Sequence, residues 1–326
     1  MIHWILMTAG LIVSFVLLVK GADFFVDGCV SIARLLHVSN LIIGLTIVAM
    51  GTSAPEAAVS ISSALSDPEN AGITIGNLLG SNLLNILIIL GISAVIVPVA
   101  ADKSLFRKDF PLLLCSAVLV PLIFYIGGMN GKRWGGLILI AFFAVFMVWT
   151  ILGAVKERKN ALAAGSKTDE DEDEKPMSVP KSILYSVGGL IVVILGGQLA
   201  VYCAKDIAHG LGVSETLIGL TIVALGTSLP ELITSVVSAK KGCSDIALGN
   251  VVGSNLFNIL MVMGLSMIIA PFSVTPENMI DALCVLGATV LCFGASALKK
   301  KLDKKEGIIF LLAYGIYLAY IILRDL

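Results

Sequence analysis

Charge, histidine and long polar stretches are all scarce in this chain. Only 14% of its 326 residues are charged against 57% hydrophobic, and the mean hydropathy is +0.99. Soluble domains are roughly a quarter charged, so a soluble fold is excluded and an integral membrane protein is expected. The net charge of −1 says little, because the charges are confined to loops, and no nucleic-acid partner is expected. The three histidines, His3, His37 and His209, fall near predicted helix ends. There is no H-E-x-x-H motif and no catalytic Ser/His pairing, so neither an enzyme nor a cofactor is expected. Cys29, Cys115, Cys203, Cys243, Cys284 and Cys292 show no metal-ligand spacing and mostly sit in apolar runs. They read as packing residues. The apolar start from Ile2 lacks a basic flank and a small-residue cleavage site, so it is taken as a first span.

What is present is a series of apolar runs, each near the roughly 20 residues that a spanning helix needs. Ten helices are predicted, at about 2–35, 40–66, 72–98, 109–127, 134–155, 182–209, 215–240, 243–270, 278–298 and 306–323. The first is longer than a span requires and is expected to tilt. Trp4, Trp134 and Trp149 are expected at the membrane interfaces. Residues 156–181 form the one sizeable polar stretch, opening with Lys156, Arg158 and Lys159 and holding the acidic run Asp169 to Glu174. It reads as a solvated, disordered linker. Placing it in the cytoplasm puts seventeen loop Lys and Arg residues on one side of the membrane and four on the other, as the positive-inside rule asks. Both termini are then outside, and the short loops suit a multi-pass protein of a prokaryotic cell membrane.

Two stretches occur twice. Residues 40–61 match 215–236 at 13 of 22 positions, and 73–91 match 246–264 at 11 of 19. The first pair carries Gly-Thr-Ser-Ala-Pro-Glu56 and Gly-Thr-Ser-Leu-Pro-Glu231; the second carries Gly76-Asn-Leu-Leu-Gly-Ser-Asn-Leu-Leu-Asn85 and Gly249-Asn-Val-Val-Gly-Ser-Asn-Leu-Phe-Asn258. The chain thus divides into repeats at 1–155 (motif 43–85) and 182–326 (motif 218–258), joined by the linker. The connection inside the first motif, Ser66 to Asn70, is acidic and falls outside. Its counterpart, Lys240 to Asp245, carries two lysines and falls inside. The copies are therefore upside down relative to one another. The expected fold is all-α, ten transmembrane helices in two inverted-topology five-helix repeats. Many secondary transporters are built this way, with a midplane site at the repeat interface.

Glu56 and Glu231 are the acidic residues placed deep in the two repeats, and an ionisable group there marks a site by default. Pro55 and Pro230 lack a backbone N–H and disturb the preceding turn, while Gly51 and Gly226 permit unwinding. Carbonyl oxygens near Ala49 and Ala224 are expected to be on offer, with hydroxyls from Thr52, Ser53, Thr227 and Ser228. Asn77, Ser81 and Asn85 share one helix face at i, i+4, i+8, and Asn250, Ser254 and Asn258 repeat the pattern. Asn77 and Asn250 either bond between helices or join the site. Gly76/Gly80 and Gly249/Gly253 are GxxxG pairs that allow close helix approach. Asp23 and Asp27 are candidates for an ion entry path. Two carboxylates among neutral oxygens, without His or Cys, suit calcium or sodium and not a soft metal.

At these residues the chain resembles the cation/calcium exchanger superfamily, most closely the prokaryotic sodium/calcium exchangers. The G-T-S-x-P-E and G-N-x-x-G-S-N-x-x-N patterns are that family's alpha repeats. The resemblance implies alternating access, sliding of helices 1 and 6 against the rest, and exchange of about three sodium ions for one calcium. It implies as ion ligands the Ala49 carbonyl, Thr52, Ser53, Glu56, Ser81 and Asn85, and the Ala224 carbonyl, Thr227, Ser228, Glu231, Ser254 and Asn258. Ala54 and Ala57 replace the usual Leu residues. Asn258 stands where potassium-dependent relatives, and some prokaryotic exchangers, carry Asp, and Leu78, Leu79 and Gly80 stand where proton-coupled relatives carry Glu. The implied function is sodium/calcium antiport, with potassium-dependent or proton-coupled exchange as alternatives and a cation channel more remote. The implied partners are the two ions and the lipid bilayer, with no obligate protein partner.

Overall fold

The computed structural model describes residues 2–66, 72–100, 105, 108–163, 176–212, 224–299 and 301–324. The acidic run 169–174 and the upstream part of the predicted seventh helix lie outside these residues. In a bilayer core each backbone polar group must be satisfied within its own segment, and the apolar runs fold accordingly as helices. They are α1 (Ile2–Leu36), α2 (Asn40–Ile43, Ala49–Thr52 and Ala54–Ser66), α3 (Gly72–Leu83 and Leu90–Ile96), α4 (Asp109–Ile126), α5 (Arg133–Ala163), α6 (Val179–Gly210), α7 (Ala224–Thr227 and Leu229–Lys240), α8 (Ser244–Leu256 and Gly264–Ile269), α9 (Pro276–Lys299) and α10 (Lys304–Arg324). Among the described residues eight helices are long and apolar enough to cross a membrane, or nine if the bent α2 counts as one span. The remaining one, α7, is described over Ala224–Thr227 and Leu229–Lys240.

The motif-bearing helices are the irregular ones. α2 runs as Asn40–Ile43, a π-helical turn Gly44–Val48 and Ala49–Thr52, breaks at Ser53, and resumes as Ala54–Ser66. Its axis bends by 49° across the break. Pro55 cannot donate to the Gly51 carbonyl, so the helix ends and restarts there. α7 breaks in the same way at Ser228, with Pro230 in the first turn of the new segment. The second motif of each repeat also contains a π turn, Leu84–Ile89 within α3 (Gly72–Leu83, Leu90–Ile96) and Phe257–Met263 within α8 (Ser244–Leu256, Gly264–Ile269). The apolar pattern of these runs gives no hint of the wider turns.

α5 continues as helix to Ala163, eight residues beyond its predicted end. The extension begins Lys156-Glu157-Arg158-Lys159, residues that form helix readily, and it is anchored: Glu157 accepts the Ser39 backbone N–H at 2.9 Å, next to the start of α2.

Four two-residue strands among the described residues record the inversion. β1 (Val99–Ala100), after α3, pairs with β4 (Lys301–Leu302), between α9 and α10. β2 (Asn130–Gly131), between α4 and α5, pairs with β3 (Phe272–Ser273), after α8. Exchanging the two halves turns one pair into the other. The 18 residues of α4 separate β1 from β2, about 27 Å of helix, so the pairs sit at opposite ends of the molecule.

Two apolar clusters divide the interior. One joins α3, α4, α5, α8, α9 and α10 with Leu41, Leu45 and Ala64 of α2. The other belongs to α1 and α6, with Leu18, Phe25 and Val193 packed beside Ile43 and Val48 of α2 and Val237 of α7. α1 and α6 run antiparallel in backbone contact. A Cβ on Gly28 would lie 2.4 Å from Ser186 N, and one on Gly189 would lie 2.5 Å from Phe25 N. Small residues permit this approach where lipid supplies no hydrophobic drive.

Candidate functional site

The breaks at Ser53 and Ser228 place Glu56 and Glu231 in the first turns of the helical segments that follow. Helix N-termini favour negative charge. Both residues are buried, at 0% and 1% exposure. Their hydrogen bonds cross between the repeats: Ser53 Oγ donates to Glu231 Oε1 at 2.9 Å, and Ser228 Oγ donates to Glu56 Oε1 at 3.2 Å. The second oxygen of each carboxylate, Oε2, is buried with no protein partner. A buried unpaired carboxylate oxygen is costly unless a cation or water meets it.

α3 and α8 close the site. Ser81 Oγ lies 3.3 Å from Ser228 Oγ, and Ser254 Oγ donates to the Ala49 carbonyl at 3.4 Å. Thr52 Oγ1 lies 3.1 Å from Asn250 Oδ1 and 3.4 Å from the Ala49 carbonyl. Asn85 and Asn258 are each the second residue of a π turn and fully buried. π turns recur at functional sites. Asn85 Oδ1 and both polar side-chain atoms of Asn258 lack protein partners. Thr52, Ser53, Glu56, Ser81, Asn85, Ser228, Glu231, Ser254 and Asn258 are thus all buried, and most are linked directly.

The remaining three predicted residues are placed differently. The Ala49 carbonyl faces this cluster but accepts the Ser53 backbone N–H at 3.1 Å as well as the hydroxyls. The carbonyl four residues before Pro55 is that of Gly51, so the expectation that proline would expose Ala49 misplaces the effect by two residues. Thr227 is half-buried and lines a cavity of about 410 Å³ beside α6, with Pro55, Gln198 and Pro230. Ala224 opens the described part of α7, and the residues preceding it lie outside the description.

Asn77 donates to Ser60 Oγ at 3.3 Å, and Asn250 donates to Ser235 Oγ at 2.9 Å and to the Glu231 carbonyl at 3.3 Å. Both therefore brace the motif helices. Gly249 and Gly253 press α8 onto α2: their Cβ positions lie 2.9 Å and 2.5 Å from the Leu41 and Leu45 carbonyl oxygens. Asp23 and Asp27 are engaged by Lys241.

The family model described as "Sodium/calcium exchanger protein" matches residues 6–152 and 181–323. The chain belongs to the sodium/calcium exchanger family. It is 38% identical to the "Putative antiporter CaxA" of Alkalimonas amylolytica over 319 residues, 94% of this chain and 96% of that one. It is 31% identical to the "Sodium/calcium exchanger MaX1" of Methanosarcina acetivorans over 344 residues, again 94% and 96%. A structure of the sodium-calcium exchanger NCX_Mj, soaked with Na+ and Sr2+, superposes with a TM-score of 0.81 at 33% identity, covering 97% of this chain and 99% of that one. This family member is therefore a multi-pass cation/calcium antiporter and not an enzyme, and its ten helices form the family's inverted repeats.

Sequence reasoning passed over two pairs in the site. Asn82 and Asn255 are fully buried beside Asn85 and Asn258, and Ser60 and Ser235 receive the Asn77 and Asn250 amides. Both pairs are identical between the repeats, and that identity was the available signal.

Proposed function

We propose that this chain is a secondary active antiporter exchanging sodium for calcium by alternating access. The observation that supports this most is the pair of buried Oε2 atoms, one from each repeat, held by reciprocal serine bonds. Two carboxylate charges balance one calcium ion or two sodium ions, and the surrounding amide, hydroxyl and carbonyl oxygens are hard ligands suited to both. Bare of cations, the site would carry two carboxylates at membrane depth, at a cost of at least a few kcal/mol. That cost disfavours reorientation without cargo and couples one ion to the other.

In this reading the ions are held by the Ala49 carbonyl, Thr52, Ser53, Glu56, Ser81, Asn85, the Ala224 carbonyl, Thr227, Ser228, Glu231, Ser254 and Asn258. The units are the two repeats, 1–155 and 182–326, joined through a cytoplasmic connection at 156–181 whose first eight residues continue α5 and whose last three begin α6, with both termini outside the cell membrane. Asn258 leaves the site without a third carboxylate, which favours independence from potassium. Leu78, Leu79 and Gly80 supply no extra acid for proton coupling.

The test is calcium-45 uptake by proteoliposomes loaded with sodium and diluted into sodium-free, potassium-free buffer. Uptake that collapses when choline replaces internal sodium is expected. Uptake that instead requires internal potassium, or follows a proton gradient without sodium, overturns the ion assignment while retaining the two glutamates.

A further inference from the structure

The buried asparagines form a directed relay, and one end of the direction is fixed by a backbone group. Asn255 Nδ2 lies 3.4 Å from the Asn82 carbonyl oxygen. A carbonyl only accepts, so the Asn255 amide nitrogen must face it. The Asn255 oxygen then points the other way, toward Asn85, at 3.1 Å from its amide. An oxygen there can receive only an N–H, so Asn85 must present Nδ2 to Asn255. Asn85 Oδ1 is left facing away from that bond, buried and without a protein partner. The amide orientation of Asn85 therefore follows from the Asn82 carbonyl and is not a free choice.

We infer that Asn255 is a positioning residue: it locks the Asn85 amide so that its oxygen, and not its nitrogen, is presented to the transported cation. This rests on the site reading above. The chemistry favours such a lock. An asparagine amide rotated by half a turn offers two hydrogens where a cation needs a lone pair, and oxygen and nitrogen have nearly the same shape. Asn85 stands at the opening of a π turn of α3, and Asn255 comes from α8 of the other repeat. The lock thus acts across the repeat interface, as the serine–glutamate bonds do. The counterpart contact, Asn82 to Asn258, is not made; all four polar side-chain atoms of that pair lack partners. The first repeat's amide is held by protein, and the second repeat's is not.

The test compares Asn255→Leu, Asn85→Leu and the double variant in proteoliposomes, reading half-saturating calcium and maximal rate separately. Removing an outer partner of a metal ligand typically weakens affinity about 10- to 100-fold. Asn255→Leu is expected to raise half-saturating calcium by about 10-fold or more at a largely retained maximal rate. The double variant is expected to be no weaker than Asn85→Leu alone, since the lock has nothing left to position. If Asn85→Leu leaves calcium affinity unchanged, Asn85 is not a ligand and the site reading fails at that residue. If Asn85→Leu weakens affinity while Asn255→Leu does not, or if the two losses add, the positioning role is overturned and the site reading stands. A wild-type measurement keeps the test independent of how well Asn255→Leu folds: the Asn85 side-chain NH2 resonance, assigned by its loss in Asn85→Leu, should stay hydrogen-bonded with and without calcium. Release of that NH2 on calcium binding overturns the inference.

Discussion

Ser53 donates its hydroxyl to Glu231, 178 positions further along the chain, at 2.9 Å. Its counterpart Ser228 donates to Glu56 at 3.2 Å. Each repeat therefore holds the other's carboxylate. A hydrogen bond to a charged group contributes about 1.5–3 kcal/mol, and 1.4 kcal/mol is about tenfold in an equilibrium constant. Ser53→Ala or Ser228→Ala should raise half-saturating calcium by about tenfold or more while the protein still inserts. Calcium-45 uptake across a calcium series is the measurement, and wild-type values in both variants would show the crossed bonds to be idle.

Glu56→Gln and Glu231→Gln keep the size of the side chain and remove its charge. One remaining carboxylate cannot balance a divalent ion, and an uncompensated charge at membrane depth is costly. Both variants should lose calcium exchange altogether. Size-exclusion elution and melting temperature of the purified proteins separate this loss from misfolding. Normal exchange in both would remove the glutamates from the ion site.

Much of this site could be read in the chain because a duplicated polar residue in an apolar run has few reasons to survive twice. Glu56 and Glu231, and the G-x-x-x-G-S-N-x-x-N faces, were legible on that ground, and charge asymmetry between the two motif connections indicated the inversion. The π turns were not legible, since one extra residue in a helical turn leaves no mark on a run such as Leu84–Ile89, which is apolar except for Asn85. Nor was the Asn255 relay. Helical spacing says which residues share a face, but not which oxygen of an amide points where. Proline leaves the Gly51 carbonyl without its helical donor, whereas the Ala49 carbonyl keeps the Ser53 backbone N–H at 3.1 Å, a distinction that the presence of a proline alone does not carry.

Gly253 tests the packing that carries Ala49 to the site. A Cβ there would lie 2.5 Å from the Leu45 carbonyl oxygen and 2.7 Å from Ala49 Cβ. These neighbours belong to or adjoin a backbone that has no rotamer to escape into, and overpacking typically costs 1–3 kcal/mol. Gly253→Ala should lower the melting temperature and weaken calcium binding together, because pushing α2 from α8 also moves the Ala49 carbonyl. Gly315→Ala is the control: nothing lies within 4 Å of its Cβ position, and both readings should hold. Equal behaviour of the two variants would mean that α2 and α8 part without cost.

Asp23 and Asp27 stand one turn apart on α1, where their charges suggested an ion entry path. The structure gives them a cation already. Lys241 Nζ lies 2.6 Å from Asp27 Oδ1 and 3.6 Å from Asp23 Oδ1, and it donates to the Asp23 carbonyl at 3.0 Å. The side chains are 29–48% exposed, so screening holds the pair's contribution to about 1 kcal/mol or less. Asp27→Asn should therefore leave half-saturating calcium within about twofold of wild type, in contrast to the serine and glutamate variants. Lys241→Gln goes the other way: it uncovers two carboxylates at the surface and should speed calcium uptake at low ionic strength by local attraction. With a Debye length of about 8 Å at 0.15 M salt, that gain should fade as choline chloride is added. Initial uptake rates at two ionic strengths decide the matter. A loss in Asp27→Asn as deep as that in Glu56→Gln would place Asp27 on the ion's route, and its bond to Lys241 would then be a contact that the passing ion must displace.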